Sequence, residues 1–270
     1  MDILSDTFVL KVAGKDLSTN DFTDADKTKL DNLPAISLFM KALLETNDAT
    51  EARALLKVGR QDIWDEVDNR WNCTNAFLDT GTKKFGTTFL HTGVNNGYLI
   101  NPDGITLGGS NGFTIAFWAY ASSANTAAQG FWSFGSKESM IQIFRDANNK
   151  IATNCIVNSS AVFSPASADR TAYPTGQWNH VELDYNASNG TIYLFLNGTL
   201  IYSIACSFFS TAQTYPMYIG LGGLNSTLNY FTGWIDEFVV LKTCLHTSSF
   251  TAPTSAYTAG ENTLALLHFD

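Results

Sequence analysis

The C-terminal half of the chain is a succession of strand-like segments with almost nothing reactive between them, and this limits what it can fold into. FTIAFWAY (113–120) opens the run. WNHVELDY (178–185), TIYLFL (191–196), TLIYSI (199–204), MYIGLGG (217–223), GWIDEFVV (233–240) and TLALLHFD (263–270) follow. Short runs rich in aromatic and β-branched side chains, set off by turn residues, read as β-strands. In WNHVELDY, Val181, Leu183 and Tyr185 alternate with His180, Glu182 and Asp184, which predicts one buried face and one wet face. Asn197-Gly198 parts TIYLFL from TLIYSI, and both residues tolerate positive φ, as a two-residue hairpin requires. Residues 178–204 therefore read as three antiparallel strands of one sheet. The predicted fold is mainly β, an antiparallel β-sandwich over residues 61–270. Such a scaffold offers surfaces and loops, which points to binding or structure before catalysis.

The first sixty residues differ. VLKVAGKDLSTNDFTDADKTKLDNL (9–33) is polar, and Thr23 is placed to cap a helix over DADKTKL, with acids in the first turn to suit the helix dipole. Pro34 breaks the chain. ISLFMKALLE (36–45) spaces Ile36, Phe39, Met40, Leu43 and Leu44 at helical intervals. Asp48 caps a third helix, ATEARALLKV, which Gly59 terminates. Helices this short are marginal alone, so their apolar stripes need either the β domain or neighbouring copies of the same segment. Neighbouring copies are favoured, and residues 1–60 are read as an attachment and oligomerisation segment. DIWDEVDNRWNC (62–73) is the transition to the sandwich.

Charge narrows the partners. The net charge is −9, and the densest basic run, RALLKVGR (53–60), is short, so nucleic acid is not expected. No apolar stretch reaches the length of a membrane span. MDILSDTFVL lacks the features of a signal peptide, so folding in a cytoplasm is expected. Cys73, Cys155, Cys206 and Cys244 are not at C-x-x-C spacing and are expected to be buried free thiols. In that compartment the sequons at Asn197 and Asn225 have no glycosylation to direct.

FTIAFWAY, GQWNHVELDY, GTIYLFLNGTLIY, YIGLGG and FTGWIDEFVV, in that order, resemble the laminin-G-like or concanavalin-A-like jelly-roll domains, over about residues 64–270. YTAGENTLALLHFD is similar to the closing strand of bacterial and phage members. That fold hosts lectins, adhesins, glycosidases and spacers, so the resemblance implies architecture more than activity. KVAGKDLSTNDFTDADKTKLDNL resembles segments of phage tail and baseplate-associated proteins, and NDATEARALLKVG is similar to segments of phage tail fibres. Together these imply a phage or prophage virion appendage assembled in a bacterial cytoplasm, commonly a homotrimer, with other tail proteins as partners.

Catalysis finds little support. Glycosidases on this fold present carboxylates from one strand as E-x-D-x-x-E or E-x-D-x-E. Glu66-Val-Asp68 is the nearest match, but Asn69, Arg70 and Trp71 follow it. Asp236 and Glu237 are adjacent, so on a regular strand they point to opposite faces. His91, His180, His246 and His268 are dispersed, with His180 expected on a wet face. LGGSNG and GLGG lack the helix and lysine of a phosphate loop. The family resemblance makes calcium possible, with Asp79, Asp103, Asp236 and Asp270 as candidate oxygen donors. Sugar binding needs aromatic faces beside amides and hydroxyls. Trp132, Gln213, Tyr215, Asn225, Asn229 and Tyr230 are the candidates, although Trp132 in WSFG also fits a core position and Tyr230 fits rim packing. Trp118, Trp178 and Trp234 lie within strands and are expected in the core or between sheets. The expected function is adhesion of a virion appendage to a host-surface glycan. The alternatives are structural decoration of a tail or capsid without a ligand, and a glycan-degrading enzyme.

Overall fold

The computed structural model describes residues 62–64, 67, 69–81, 83–93, 96–165, 170–224 and 227–269. The helices expected within 1–60 lie outside the described residues. In chain order the strands are β1 (Asp62–Trp64), β2 (Arg70–Thr74), β3 (Phe77–Asp79), β4 (Phe89–Thr92), β5 (Tyr98–Gly108), β6 (Phe113–Tyr120), β7 (Gln129–Gly135), β8 (Met140–Arg145), β9 (Lys150–Val157) and β10 (Ser160–Phe163). There follow β11 (Thr171–Ala172), β12 (Trp178–Asn186), β13 (Thr191–Leu196), β14 (Thr199–Ala205), β15 (Ala212–Ile219), β16 (Leu221–Gly222), β17 (Asn229–Tyr230), β18 (Gly233–Leu241) and β19 (Thr263–Leu267). A 3-10 turn, Ser207–Ser210, separates β14 from β15.

The strands form two sheets. The first runs β1-β2-β5-β15-β7-β8-β9-β10, and the second runs β14-β13-β12-β6-β18-β4-β3 with β19 paired to β18. Pairing along both paths is antiparallel. Alternation builds the core: Phe113, Ile115, Phe117 and Ala119 of β6 face inward with Val181, Leu183 and Tyr185 of β12. From the other sheet Trp132, Phe134, Ile141 and Ile143 close the same apolar cluster. The 178–204 meander forms as its sequence predicts. Its hairpin turns on Asn197 (φ 51) and Gly198 (φ 76), and a side chain at Gly198 would run into the Phe250 carbonyl.

The outer face of the second sheet corrects the expectation of a wet surface. His180 and Asp184 have no exposed area and Glu182 has 1%. The reason is the segment 242–262, which crosses back over this face. Leu245 donates its amide to Asp184 Oδ1 (2.8 Å), and the Tyr257 hydroxyl meets His180 Nε2 (2.6 Å). The Phe250 amide bonds the Gly198 carbonyl (2.8 Å). Burial pushes His180 down to about 3 and Glu182 up to about 10.

Asp236 and Glu237 also depart from expectation. A β-bulge lies between Asp236 and Val239 opposite β6, and Glu237 has φ 52. The extra residue keeps both carboxyls on the outer side. Asp236 accepts the amides of Lys84 (3.2 Å), Phe85 (3.1 Å) and Glu237 (2.9 Å). Glu237 accepts the Tyr257 amide (2.8 Å) and meets His268 Nδ1 (2.8 Å). Both anchor loops over the sheet, a structural role.

On the first sheet a flap, residues 220–224 and 227–231, folds back over the outer face through β16 and β17. Tyr230 pairs in parallel with Gly130 of β7. Ser133 donates to the Leu221 carbonyl (2.7 Å), and the Gly223 amide donates to Gln142 Oε1 (2.7 Å). A Cβ at Gly130 would collide with the backbone of Leu221 and Gly222, so the contact depends on this glycine.

Candidate ligand-binding face

Sheet register assembles the candidate site. Asn72, Ile100, Tyr218, Ser133, Gln142 and Asn154 stand directly opposite one another across β2, β5, β15, β7, β8 and β9. Their neighbours Leu99, Ile219 and Trp132 are core, so this row is the outer face. The flap covers Ser133 and Gln142. Beside it, toward β2, three rings gather. Tyr98 is two residues before Ile100 and on the same face, with its centroid 6.4 Å from Tyr218 and 6.1 Å from Tyr230 of the flap.

All three tyrosines are half-buried. Among the described residues no hydrogen bond ties down any of their hydroxyls. Burial, then the neighbouring Tyr98, raises the Tyr218 phenol above its ordinary value, so it stays protonated at neutral pH. A polar group stands close in the register: Asn72, opposite Ile100. The Asn72 side-chain oxygen is buried without a hydrogen-bond partner. An aromatic platform with phenol hydroxyls and one amide beside it suits a ligand with apolar CH faces and many hydroxyls.

Of the predicted residues the structure places Tyr230 in this cluster, with Tyr98 and Tyr218 and with Asn72 in the neighbouring row; Asn229, the strand neighbour of Tyr230, points to the opposite side and lies against Gly223. Trp132 is fully buried in the core and offers no face to a ligand. Gln213 and Tyr215 stand opposite Leu107 and Ile105 on the inward side of β15. Tyr215 packs edge-on against Phe134 (5.7 Å), and Gln213 donates to Thr211 Oγ1 (2.7 Å). Asn225 lies outside the described residues. YLINPDG and MYIGLGG do show Tyr98 and Tyr218 at alternating positions, but only the pairing of β5 with β15 makes them neighbours.

The second sheet carries another aromatic row where segment 242–262 does not reach. Trp178, Tyr120, Trp234, His91 and Phe77 are successive cross-strand partners over β12, β6, β18, β4 and β3. Adjacent centroids are 5.8, 5.1, 5.1 and 4.8 Å apart. Trp178 and Trp234, with Trp118, thus lie on an outer face and not in the core between the sheets. Lys84 sits over Trp118, Nζ 3.7 Å from the ring centroid.

The candidate calcium donors do not converge. Asp79 accepts the Gly81 amide (3.1 Å) and faces His91 (3.5 Å), while Asp103 pairs with Arg70 at the surface (3.1 Å). Asp236 is used by backbone amides, and Asp270 lies outside the described residues. Glu182, Asp184 and His246 do come together. The E-x-D spacing of Glu182-Leu183-Asp184 places both acids on one face of β12. That signal was present in the sequence; the approach of His246 was not.

An antiparallel two-sheet sandwich with almost no helix among its described residues defines the class as a jelly-roll-type β domain. The concanavalin A-like lectin/glucanases superfamily matches residues 92–249, more than half of the chain, and the chain belongs to that superfamily. No curated protein matches it. Among solved structures it is similar to domain 4 of the GH43 extracellular arabinanase AbnA from Geobacillus stearothermophilus, in complex with arabinotriose. Identity is 21% over 68% of this chain and 82% of that one, with a TM-score of 0.50. It is also similar to a heptameric SAP-like pentraxin from Limulus polyphemus, at 13% identity over 56% and 71% of the two chains and a TM-score of 0.41. A third is the CBM40 of Ruminococcus gnavus IT-sialidase bound to alpha2,6 sialyllactose, at 19% identity over 52% and 80% and a TM-score of 0.41. The likeness to the arabinanase domain speaks for the fold alone.

Proposed function

We propose that the sandwich is a non-catalytic glycan-binding module and that residues 1–60 attach and trimerise it on a phage-type virion, where it adheres to a host-surface glycan. The observation that carries the binding reading is the cluster of Tyr98, Tyr218 and Tyr230 beside Asn72. Names of similar structures, such as an arabinanase domain with arabinotriose, accord with sugar as the ligand class. The virion reading is supported by KVAGKDLSTNDFTDADKTKLDNL and NDATEARALLKVG. Non-catalytic binding is supported by the placement of the acids. Glu182, Asp184, Asp236 and Glu237 are buried under loops and hold them in place.

Glycan-array binding by the purified protein, repeated with Tyr218→Ala, tests the module. Loss of one stacking ring should weaken a bound glycan about tenfold, equivalent to about 1.4 kcal/mol. An array on which the parent protein binds nothing leaves the purely structural role, and release of sugar from a bound polysaccharide revives the enzyme. The row from Trp178 to Phe77 favours a second reading, a longer polysaccharide laid across the other sheet. Trp234→Ala separates the two, because it removes binding in the second case and spares it in the first.

A further inference from the structure

Segment 242–262 is held onto the second sheet by a polar cluster that the glycan reading does not use. Glu182 and Asp184 project from the outer face of β12, buried at 1% and 0% exposure. His246 reaches them from above, Nδ1 2.6 Å from Glu182 Oε1. One donor atom from each of the three lies within 4.8 Å of the others.

Asp184 is oriented by its surroundings. Its Oδ1 accepts the Thr114 hydroxyl (2.5 Å) and the amides of Leu245 (2.8 Å) and His246 (3.3 Å). Its Oδ2 is buried and receives no N–H or hydroxyl donor; the carboxyl's further side-chain contacts are with Glu182 and the Cys244 thiol. Two buried carboxyls thus share a site with the His246 imidazole, and the buried His180 ring lies 4.0 Å from Glu182 on its other side. A buried carboxylate without a countercharge is costly, and a carboxyl with one oxygen tied down by three donors is oriented like a ligand with its supporting bonds in place.

We infer that Glu182, Asp184 and His246 form a binding site for a divalent transition-metal cation of the zinc class, which clamps segment 242–262 to the second sheet. Two carboxylate oxygens and an imidazole nitrogen suit zinc, whereas calcium prefers about six to eight oxygens. The three protein donors leave a position for water. The His246 ring is stacked on Phe250, centroids 3.6 Å apart and planes 7° from parallel, which fixes its aim. Its side chain is 32% exposed, so an ion has a way in. The inference does not depend on glycan binding.

The test is calorimetric titration of chelator-treated full-length protein with zinc chloride, paired with thermal unfolding with and without the ion. One zinc per chain and a rise in Tm of several degrees are expected, and His246→Gln should weaken binding at least tenfold. His246 is partly exposed, so that variant is expected to fold. Glu182→Gln should act in the same direction. No zinc uptake, or uptake unchanged in His246→Gln, overturns the assignment and leaves a proton shared by the two carboxyls as the account of the cluster. Uptake of calcium without zinc overturns it as well.

Discussion

Asp236 shows how a single buried carboxyl makes stability depend on pH. Burial raises it to about 7, against three backbone amides that favour its charge. The folded chain then holds a proton that the unfolded chain releases near pH 4. The stability it contributes is fully present below that pH and is lost as pH rises through about 7. A gap of about three pKa units corresponds to at most about 4 kcal/mol. Chemical denaturation between pH 4 and 8 should show this decline, and Asp236→Asn should flatten it while retaining an acceptor for the loop amides. An unchanged profile in that variant would assign the decline to another group. Asp236 was legible in IDE as a notable acid, but its amide partners come from residues 84 and 85, far away in sequence.

At the scale of elements, the flap decides where Tyr230 stands. Gly130 of β7 and Gly222 of β16 meet backbone to backbone, and a methyl group at residue 130 has no room. Gly130→Ala should lift the flap, cost about 1–3 kcal/mol in overpacking, and weaken glycan binding through the loss of Tyr230 from the tyrosine cluster. Tryptophan fluorescence and denaturant midpoints would follow the stability cost, and the array would follow the binding. A variant that is destabilised yet binds as the parent does would place the ligand elsewhere. The hairpin at Asn197-Gly198 illustrates the opposite case, since its turn chemistry is local and the chain forms it where the sequence places it. The wet face expected for WNHVELDY is not found because alternation marks two faces but does not say which of them a distant segment will cover.

For the whole molecule, the proposed trimer joins three weak sites in one assembly, and avidity then exceeds single-site affinity without any new contact. The full chain should sediment at three times the mass of the 29.5 kDa monomer, while a chain shortened to residues 61–270 should sediment as a monomer. The shortened form should also lose adhesion to whole cells faster than it loses affinity for a soluble glycan. A full chain that is monomeric at micromolar concentration removes the avidity argument and leaves a single weak module.

The sequence by itself determined the sandwich. Strand periodicity, turn residues and the Asn-Gly hairpin are local in origin, and each acts on a few neighbouring residues whatever the rest of the chain does. It also offered Tyr230 as a candidate, and pointed to the superfamily to which the strand motifs belong. Only the tertiary structure decided that Trp132 is core, that Tyr98 and Tyr218 stand beside Tyr230, and that His180, Glu182 and Asp184 are sealed beneath residues 242–262. These depend on which strands pair and on what crosses over them. Such contacts join residues tens of positions apart, and no short stretch of sequence carries them.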